Sequence, residues 1–213
     1  MQQHGEVPGV VFDDRGVARP PWAMTHPLLR HYFDTEWGLP VRDEQGLFER
    51  LSLEGFQAGL SWLTILKKRP AFRDAFADFD PDVVASFSED DVVSLMANTE
   101  IVRNRRKIQS VIGNAKATLM LRQQGGLAQL IWSYEPDSDP VLDSDGNPPS
   151  QSAESAALAK HLKKLGFGFV GPTIIFAMFE AIGVVNTFPY RELPNLSNTS
   201  TADYGGNTPN RKE

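Results

Sequence analysis

The segment SLEGFQAGLSW, Ser52 to Trp62, sets one carboxylate, Glu54, in an otherwise apolar, small-residue run. Read as a helix, Leu47, Phe48, Leu51, Ala58 and Trp62 share a face at spacings of three and four, and Glu54 lies on it. A carboxylate pointing inward is costly unless something there needs it. Tyr32 and Trp37, in HYFDTEWG just upstream, join Trp62 as an aromatic set around this position. Electron-rich rings and an acceptor oxygen suit a flat, cationic, hydrogen-bonding ligand, held by stacking and cation–π attraction. The plainer alternatives are aromatic core and, for Glu54, a buried cap or an ion pair to Arg50 or another arginine.

A second arrangement lies in KHLKKLGFGFVGPTIIFAMFEA. A helix, a turn carrying Gly166, Gly168 and Gly171, and a new helix near Pro172 leave backbone N–H groups unpaired at the second helix's start. Those groups and the helix dipole attract an anion, and Lys163 and Lys164 lie just upstream. A DNA phosphate is a natural ligand; a helical hairpin with glycine in its caps is the plainer alternative. Other chemistries find no support. Cysteine is absent, which excludes disulfides, thiolate zinc sites and a cysteine nucleophile. His4, His26, His31 and His161 show no metal-ligand spacing and read as solvated. There is no P-loop, Rossmann fingerprint or serine nucleophile elbow.

The elements that must position these residues read as helices, and the predicted class is all-α. PLLRHYF gives a first short helix. DEQGLFERLSLEGFQAGLSWLTILKKR gives one long amphipathic helix, in which the small Gly55 and Gly59 admit another backbone or a ligand. PAFRDAFAD follows, with Pro70 at a helix start. DPDVVASFS and SEDDVVSLMAN each open on a capping residue, and NRRKIQSVIGNAKATLMLRQQ is another long amphipathic helix. Residues 135–151 are rich in Pro, Asp and Ser and read as a surface loop. No period-two β-hairpin and no internal repeat is evident. Three stretches result: a loosely ordered arm over 1–21, a helical domain over 22–193, and a polar, disordered tail over 194–213.

The 213 residues suffice for a sizeable core. No apolar run reaches the roughly 20 residues of a membrane span, and the N-terminus lacks the order of a signal peptide, so a cytoplasmic protein without a membrane partner is expected. Net charge is −6. Basic residues nevertheless gather at Lys67–Arg69, Arg103–Lys107 and Lys160–Lys164, three patches able to meet one phosphate backbone if the fold unites them.

Three segments, YFDTEWGLPVRDEQGLFERLSLEGFQAGLSWLTILKKRPAFRDAFADFDP, IVRNRRKIQSVIGNAKA and LKKLGFGFVGPTIIFAMFEAIGVVN, resemble the DNA-3-methyladenine glycosylase I family, one of the helix-hairpin-helix DNA glycosylases. The resemblance runs from about Trp22 to about Asn186. It implies two helical lobes with a cleft between them, and a base-excision repair enzyme that flips 3-methyladenine out of alkylated double-stranded DNA and hydrolyses its N-glycosidic bond. It further implies that Glu54 hydrogen-bonds the modified base, and that Tyr32, Trp37 and Trp62 line or stack on it. Gln57, Gly59 and Leu60 would lie at the gap the flipped base leaves. Main-chain N–H groups near Gly168, Val170, Gly171 and Thr173 would hold a phosphate, with Lys163 nearby. No lysine stands within GFGFVG, so a monofunctional enzyme without lyase activity is expected; a monomer is expected as well.

The sequence departs from the family in one respect. The resemblance implies a structural zinc held by two Cys and two His, yet those positions fall at Pro20, Phe33, Phe188 and near Glu192. No metal and no cofactor is therefore expected, with a Phe33–Phe188 contact in place of the clamp. Leu29 stands where a further pocket aromatic is common. The rival from another class is a non-catalytic, damage-sensing DNA-binding protein on the same scaffold; a helical module for a protein partner is a third.

Overall fold

The computed structural model describes residues 7–191. The tail 194–213, Glu192 and the first six residues of the arm lie outside them. Ten α-helices occur among the described residues: α1 (Pro21–Met24), α2 (Pro27–Thr35), α3 (Glu44–Gln57), α4 (Trp62–Ala75), α5 (Pro81–Ala85), α6 (Glu89–Ala97), α7 (Arg105–Leu121), α8 (Gly126–Trp132), α9 (Ala153–Lys164) and α10 (Pro172–Ala181). None is long and apolar enough to cross a membrane.

Helix starts follow their capping chemistry. Asp43, Ser61, Asp80, Ser88, Asn104 and Ser152 each accept a backbone N–H with the side chain at the start of α3, α4, α5, α6, α7 and α9. α3 is the central element, packing against α4, α7, α8 and α10. On one side α5 and α6 pack on α7; on the other, α9 pairs with α10, and α2 leans on α4. The fully buried rings of Phe56, Phe72, Phe76 and Phe79 bind α3, α4 and the turn after it into one core.

Three elements differ from the sequence reading. The single long helix is two. Gly59 takes φ +82° and Ser61 caps a new helix, its Oγ accepting from the Thr64 N–H at 3.2 Å. Leu47, Phe48 and Leu51 keep the inward face, but Ala58 is exposed and Trp62 belongs to α4. Pro70 sits inside α4 rather than at a start, because the cap upstream carries the helix through it and Ile65, Leu66 and Phe72 bury the result. Residues 7–21 are not a loose arm: Val11–Phe12 pairs antiparallel with Ala18–Arg19. The buried Arg19 guanidinium holds this hairpin, donating to Asp13 at 2.8 Å and to Asp34 at 2.7 and 3.0 Å.

Candidate active site

The α3–α4 break is what brings the aromatic set to Glu54. The turn at 58–61 redirects the chain so that Trp62, at the start of α4, faces back toward α2 and the last turns of α3. Tyr32 and Trp62 rings lie 5.5 Å apart at 53°. Trp22, from α1, stands 6.5 Å from Tyr32 and 5.7 Å from Trp37. Together they wall a cavity of about 430 Å³ floored by Glu54 and Gln57 of α3 and closed by Ala177 and Glu180 of α10. That volume falls in the range of small-molecule sites.

Glu54 is 5 % exposed. No hydrogen bond or ion pair meets its carboxylate among the described residues, and burial, with a smaller contribution from the negative charge of Glu180, pushes its pKa up to about 8. The ion pair to Arg50 is not formed. Arg50 reaches Glu36 at 3.3 Å and Glu49 at 3.2 Å, Arg69 clasps Glu36 at 2.6 and 2.7 Å, and Arg73 holds Glu49 at 2.8 Å. Burial disfavours the Glu36 carboxylate, but Arg69, Arg50 and Arg73 outweigh it and hold its pKa below the usual range. The arginines of this region are thus matched to other carboxylates, and Glu54 faces the cavity uncompensated.

Three further observations define the site. The Trp62 Nε1–H is buried with no acceptor among the described residues. Tyr32 is 4 % exposed, and burial, aided by the charge of Glu54, raises its hydroxyl pKa far above the ordinary value, so it stays a proton donor. Glu180 is a second acid on the cavity wall: burial raises its pKa to about 7, against a lowering by the Thr187 hydroxyl, which donates to Oε1 at 2.7 Å. Sequence reasoning missed Glu180 and Trp22. The signal for Glu180 was the lone acid in PTIIFAMFEA, the same kind of signal that singled out Glu54.

Beside the cavity mouth the turn presents Gly59, with open space where a Cβ would stand, and Leu60, 42 % exposed. Lys107 fixes this turn, donating to the carbonyls of Phe56 at 2.8 Å and Ala58 at 2.6 Å. The α9–α10 hairpin approaches α3 at Gly55, where a Cβ would stand 3.4 Å from that of Phe169, an ordinary contact. In the hairpin, α10 has no side-chain cap, and the N–H groups of Val170, Gly171 and Thr173 have no partner among the described residues. Gly168 differs from expectation. Its N–H donates to Asn114 Oδ1 at 2.7 Å and its carbonyl accepts from Asn114 Nδ2 at 3.2 Å, so it anchors the hairpin to α7 and offers nothing outward. Lys163 is exposed and, with Lys160 and Lys164, borders a surface cavity beside Pro172.

The basic patches are less free than their composition implies. Lys107 is buried, Arg69 is clasped by Glu36, Lys68 donates to the carbonyls of Thr99 and Glu100, and Arg105 pairs with Glu89. Arg103, Arg106 and Lys67 remain exposed. Nor are all the histidines merely solvated: His26 caps α2 by accepting from the Leu28 N–H at 3.0 Å, and His161 meets the Tyr134 hydroxyl at 3.0 Å.

A helical domain with an aromatic cavity floored by a carboxylate that has no cation among the described residues, flanked by an exposed leucine and a hairpin of unpaired N–H groups, has the build of a DNA glycosylase of the helix-hairpin-helix class. The family model described as methyladenine glycosylase matches residues 22–189. DNA-3-methyladenine glycosylase 1 of Escherichia coli strain K12 is 44% identical over 168 residues, spanning 78% of this chain and 90% of that protein. A crystal structure of 3-methyladenine DNA glycosylase I, 45% identical, superposes with a TM-score of 0.73 over 78% of this chain and 93% of that one. Another, of a variant in complex with 3-methyladenine, is 32% identical with a TM-score of 0.73 over 80% of this chain and 95% of that one. The chain belongs to the methyladenine glycosylase family.

Where the resemblance implies a structural zinc, the residues do not fit one. Phe33 and Phe188 meet edge to face with centroids 5.4 Å apart, and Pro20 carries no donor. Arg191 closes the same junction, donating to the carbonyl of Phe33 at 2.7 Å and to that of Trp37. No group of three or more metal-binding side chains occurs among the described residues.

Proposed function

We propose that this protein excises 3-methyladenine from alkylated duplex DNA by hydrolysing the N-glycosidic bond. The observation that carries the reading is Glu54: a buried carboxylate with no cation of its own among the described residues, open to a cavity walled by Tyr32, Trp37 and Trp62. Methylation at N3 puts positive charge on the purine. That charge weakens the bond to the sugar, so little acid catalysis is required, and it supplies the partner that Glu54 lacks. The aromatic walls attract a cationic ring more than a neutral one. Selection therefore comes from differential binding, since a normal adenine gains less from either group.

The flipped nucleotide enters past the 57–60 turn. Leu60, with Gly59, fills the gap in the stack next to Gln57 at the cavity, and Val170, Gly171 and Thr173 donate main-chain N–H groups to a phosphate, with Lys163 adding charge. Glu54 accepts from the base, orienting the sugar for attack by water through an oxocarbenium-like transition state. With no lysine in the hairpin turn, the reaction ends at base release without strand cleavage. A cytoplasmic, monomeric, zinc-free enzyme is part of this reading; the Phe33–Phe188 contact and Arg191 take over the anchoring of the C-terminal segment. Incubation with methylated duplex DNA is expected to release free 3-methyladenine and to leave no borohydride-trapped adduct. A damage sensor would bind the DNA and release nothing. Elemental analysis is expected to find no zinc; one zinc per chain would overturn the apolar-clamp account.

A further inference from the structure

The two carboxyls of the cavity come from elements far apart in sequence, Glu54 on α3 and Glu180 on α10, and both line the same space. The reaction as derived uses only Glu54. Glu180 is fixed rather than free: the buried Thr187 hydroxyl holds one of its oxygens at 2.7 Å, leaving the other without a hydrogen-bond partner among the described residues. Thr187 precedes Phe188, so the contact that seats the C-terminal segment also sets the position of this acid.

Among the described residues, no positive charge is paired with either acid. From α2, Tyr32 faces Glu54, while Arg50 of α3 and Arg69 of α4 are bound to Glu36 and Glu49. Arg191, after α10, turns its guanidinium to backbone carbonyls of Phe33 and Trp37. The lysines of α9, Lys160, Lys163 and Lys164, border a separate surface cavity. Two acids in one apolar, unpaired enclosure cannot both ionise cheaply. Their missing charge is made up either by a proton or by a cationic ligand.

We propose that Glu180 is a specificity-determining residue, which with Glu54 forms a two-carboxyl pair that exchanges a bound proton for a cationic nucleobase. The proton leaves to solvent as the cation enters, so charge is conserved in the pocket. A neutral purine has no charge to exchange and displaces no proton. The pair thereby discriminates by charge more sharply than one carboxylate would, because the empty pocket is held by the proton rather than by a standing negative charge. Burial holds both acids protonated into the neutral range, Glu54 to about 8 and Glu180 to about 7, which places the exchange there. This inference rests on the nucleobase reading of the cavity given above.

The test is calorimetric binding of 3,9-dimethyladeninium, a fixed cation, and of neutral 9-methyladenine to the whole chain across the neutral range. Linkage makes affinity for a ligand that displaces one proton rise about tenfold per pH unit below the pKa of the group that loses it. The cation is expected to bind at least about tenfold more tightly at about pH 8.5 than at about pH 6, with proton release seen as a buffer-dependent heat; the neutral base is expected to show neither. Glu180→Gln keeps the Thr187 acceptor and is expected to bind the cation with fewer protons released and a midpoint at lower pH, since Glu54 loses its like-charged neighbour. Thr187→Val leaves both carboxyls and removes the donor that lowers Glu180, so its midpoint is expected to move up. A pH profile unchanged in both variants would overturn the role of Glu180. Absence of cation binding at every pH would overturn the nucleobase reading itself.

Discussion

Replacing Glu54 by Gln removes the carboxylate while keeping the side chain's shape, and its effect on stability depends on pH in a direction the structure fixes. In the unfolded chain Glu54 ionises near 4.5; in the folded, ligand-free protein, burial and then the charge of Glu180 delay ionisation to about 8. A carboxyl whose pKa is raised on folding contributes stability that is complete below the unfolded value and is lost as pH rises through the folded one. The wild type therefore weakens relative to Glu54→Gln between pH 4.5 and about 8 and changes little more beyond. At about 1.36 kcal/mol per pH unit, that interval corresponds to a difference on the order of 5 kcal/mol. Urea unfolding of the two proteins, without DNA, at a series of pH values reads it directly. The curves are expected to coincide near pH 4.5, to diverge in favour of the variant as pH rises from there, and to keep a constant separation above about 8. Parallel profiles would show that Glu54 ionises as an ordinary surface acid, and the argument from an uncompensated buried charge would fail. The same variant is expected to lose excision activity, so this residue trades stability for binding.

Two further substitutions separate the pocket from the DNA-facing surface. Leu60→Ala, at an exposed position, is expected to change unfolding stability by no more than about 0.5 kcal/mol while weakening excision from duplex DNA and leaving binding of free 3-methyladenine intact; equal loss of both would place Leu60 in the pocket instead. Lys107→Met leaves the Phe56 and Ala58 carbonyls without their charged donor and is expected to destabilise by about 2 kcal/mol, with Lys107→Arg recovering part of it; an unchanged midpoint of denaturation would contradict the capping role.

Glu54, Tyr32 and Trp62 were legible because a carboxylate in an apolar run and a compact aromatic set are local signals. Their assembly was not, since the periodicity that marked Glu54 ran on through Ala58 to Trp62. The chain instead breaks at Gly59, a position whose positive φ only the turn reveals. Without that break Trp62 would continue α3 rather than close the cavity. Glu180 and Trp22 stayed hidden for a related reason: each lies far in sequence from Glu54, and only the packing of α10 on α3 and of α1 on α2 makes them neighbours. The Gly-rich turn was legible as a hairpin, yet composition could not say which N–H groups face out; Asn114, more than fifty residues upstream, takes that of Gly168. The basic patches misled because counting charges ignores partners. Arg69 and Lys107 are spent on Glu36 and on the carbonyls of Phe56 and Ala58.

The most direct measurement is single-turnover release of 3-methyladenine from methylated duplex DNA by the wild-type protein and by Glu54→Gln, each with its fold verified by circular dichroism. The wild type is expected to release the free base, and the variant to be slower by about two orders of magnitude or more, the consequence of losing a charge-assisted bond worth about 3 kcal/mol in the closed site. Release at equal rates by the two proteins would contradict the claim that a buried, uncompensated carboxylate selects the cationic base.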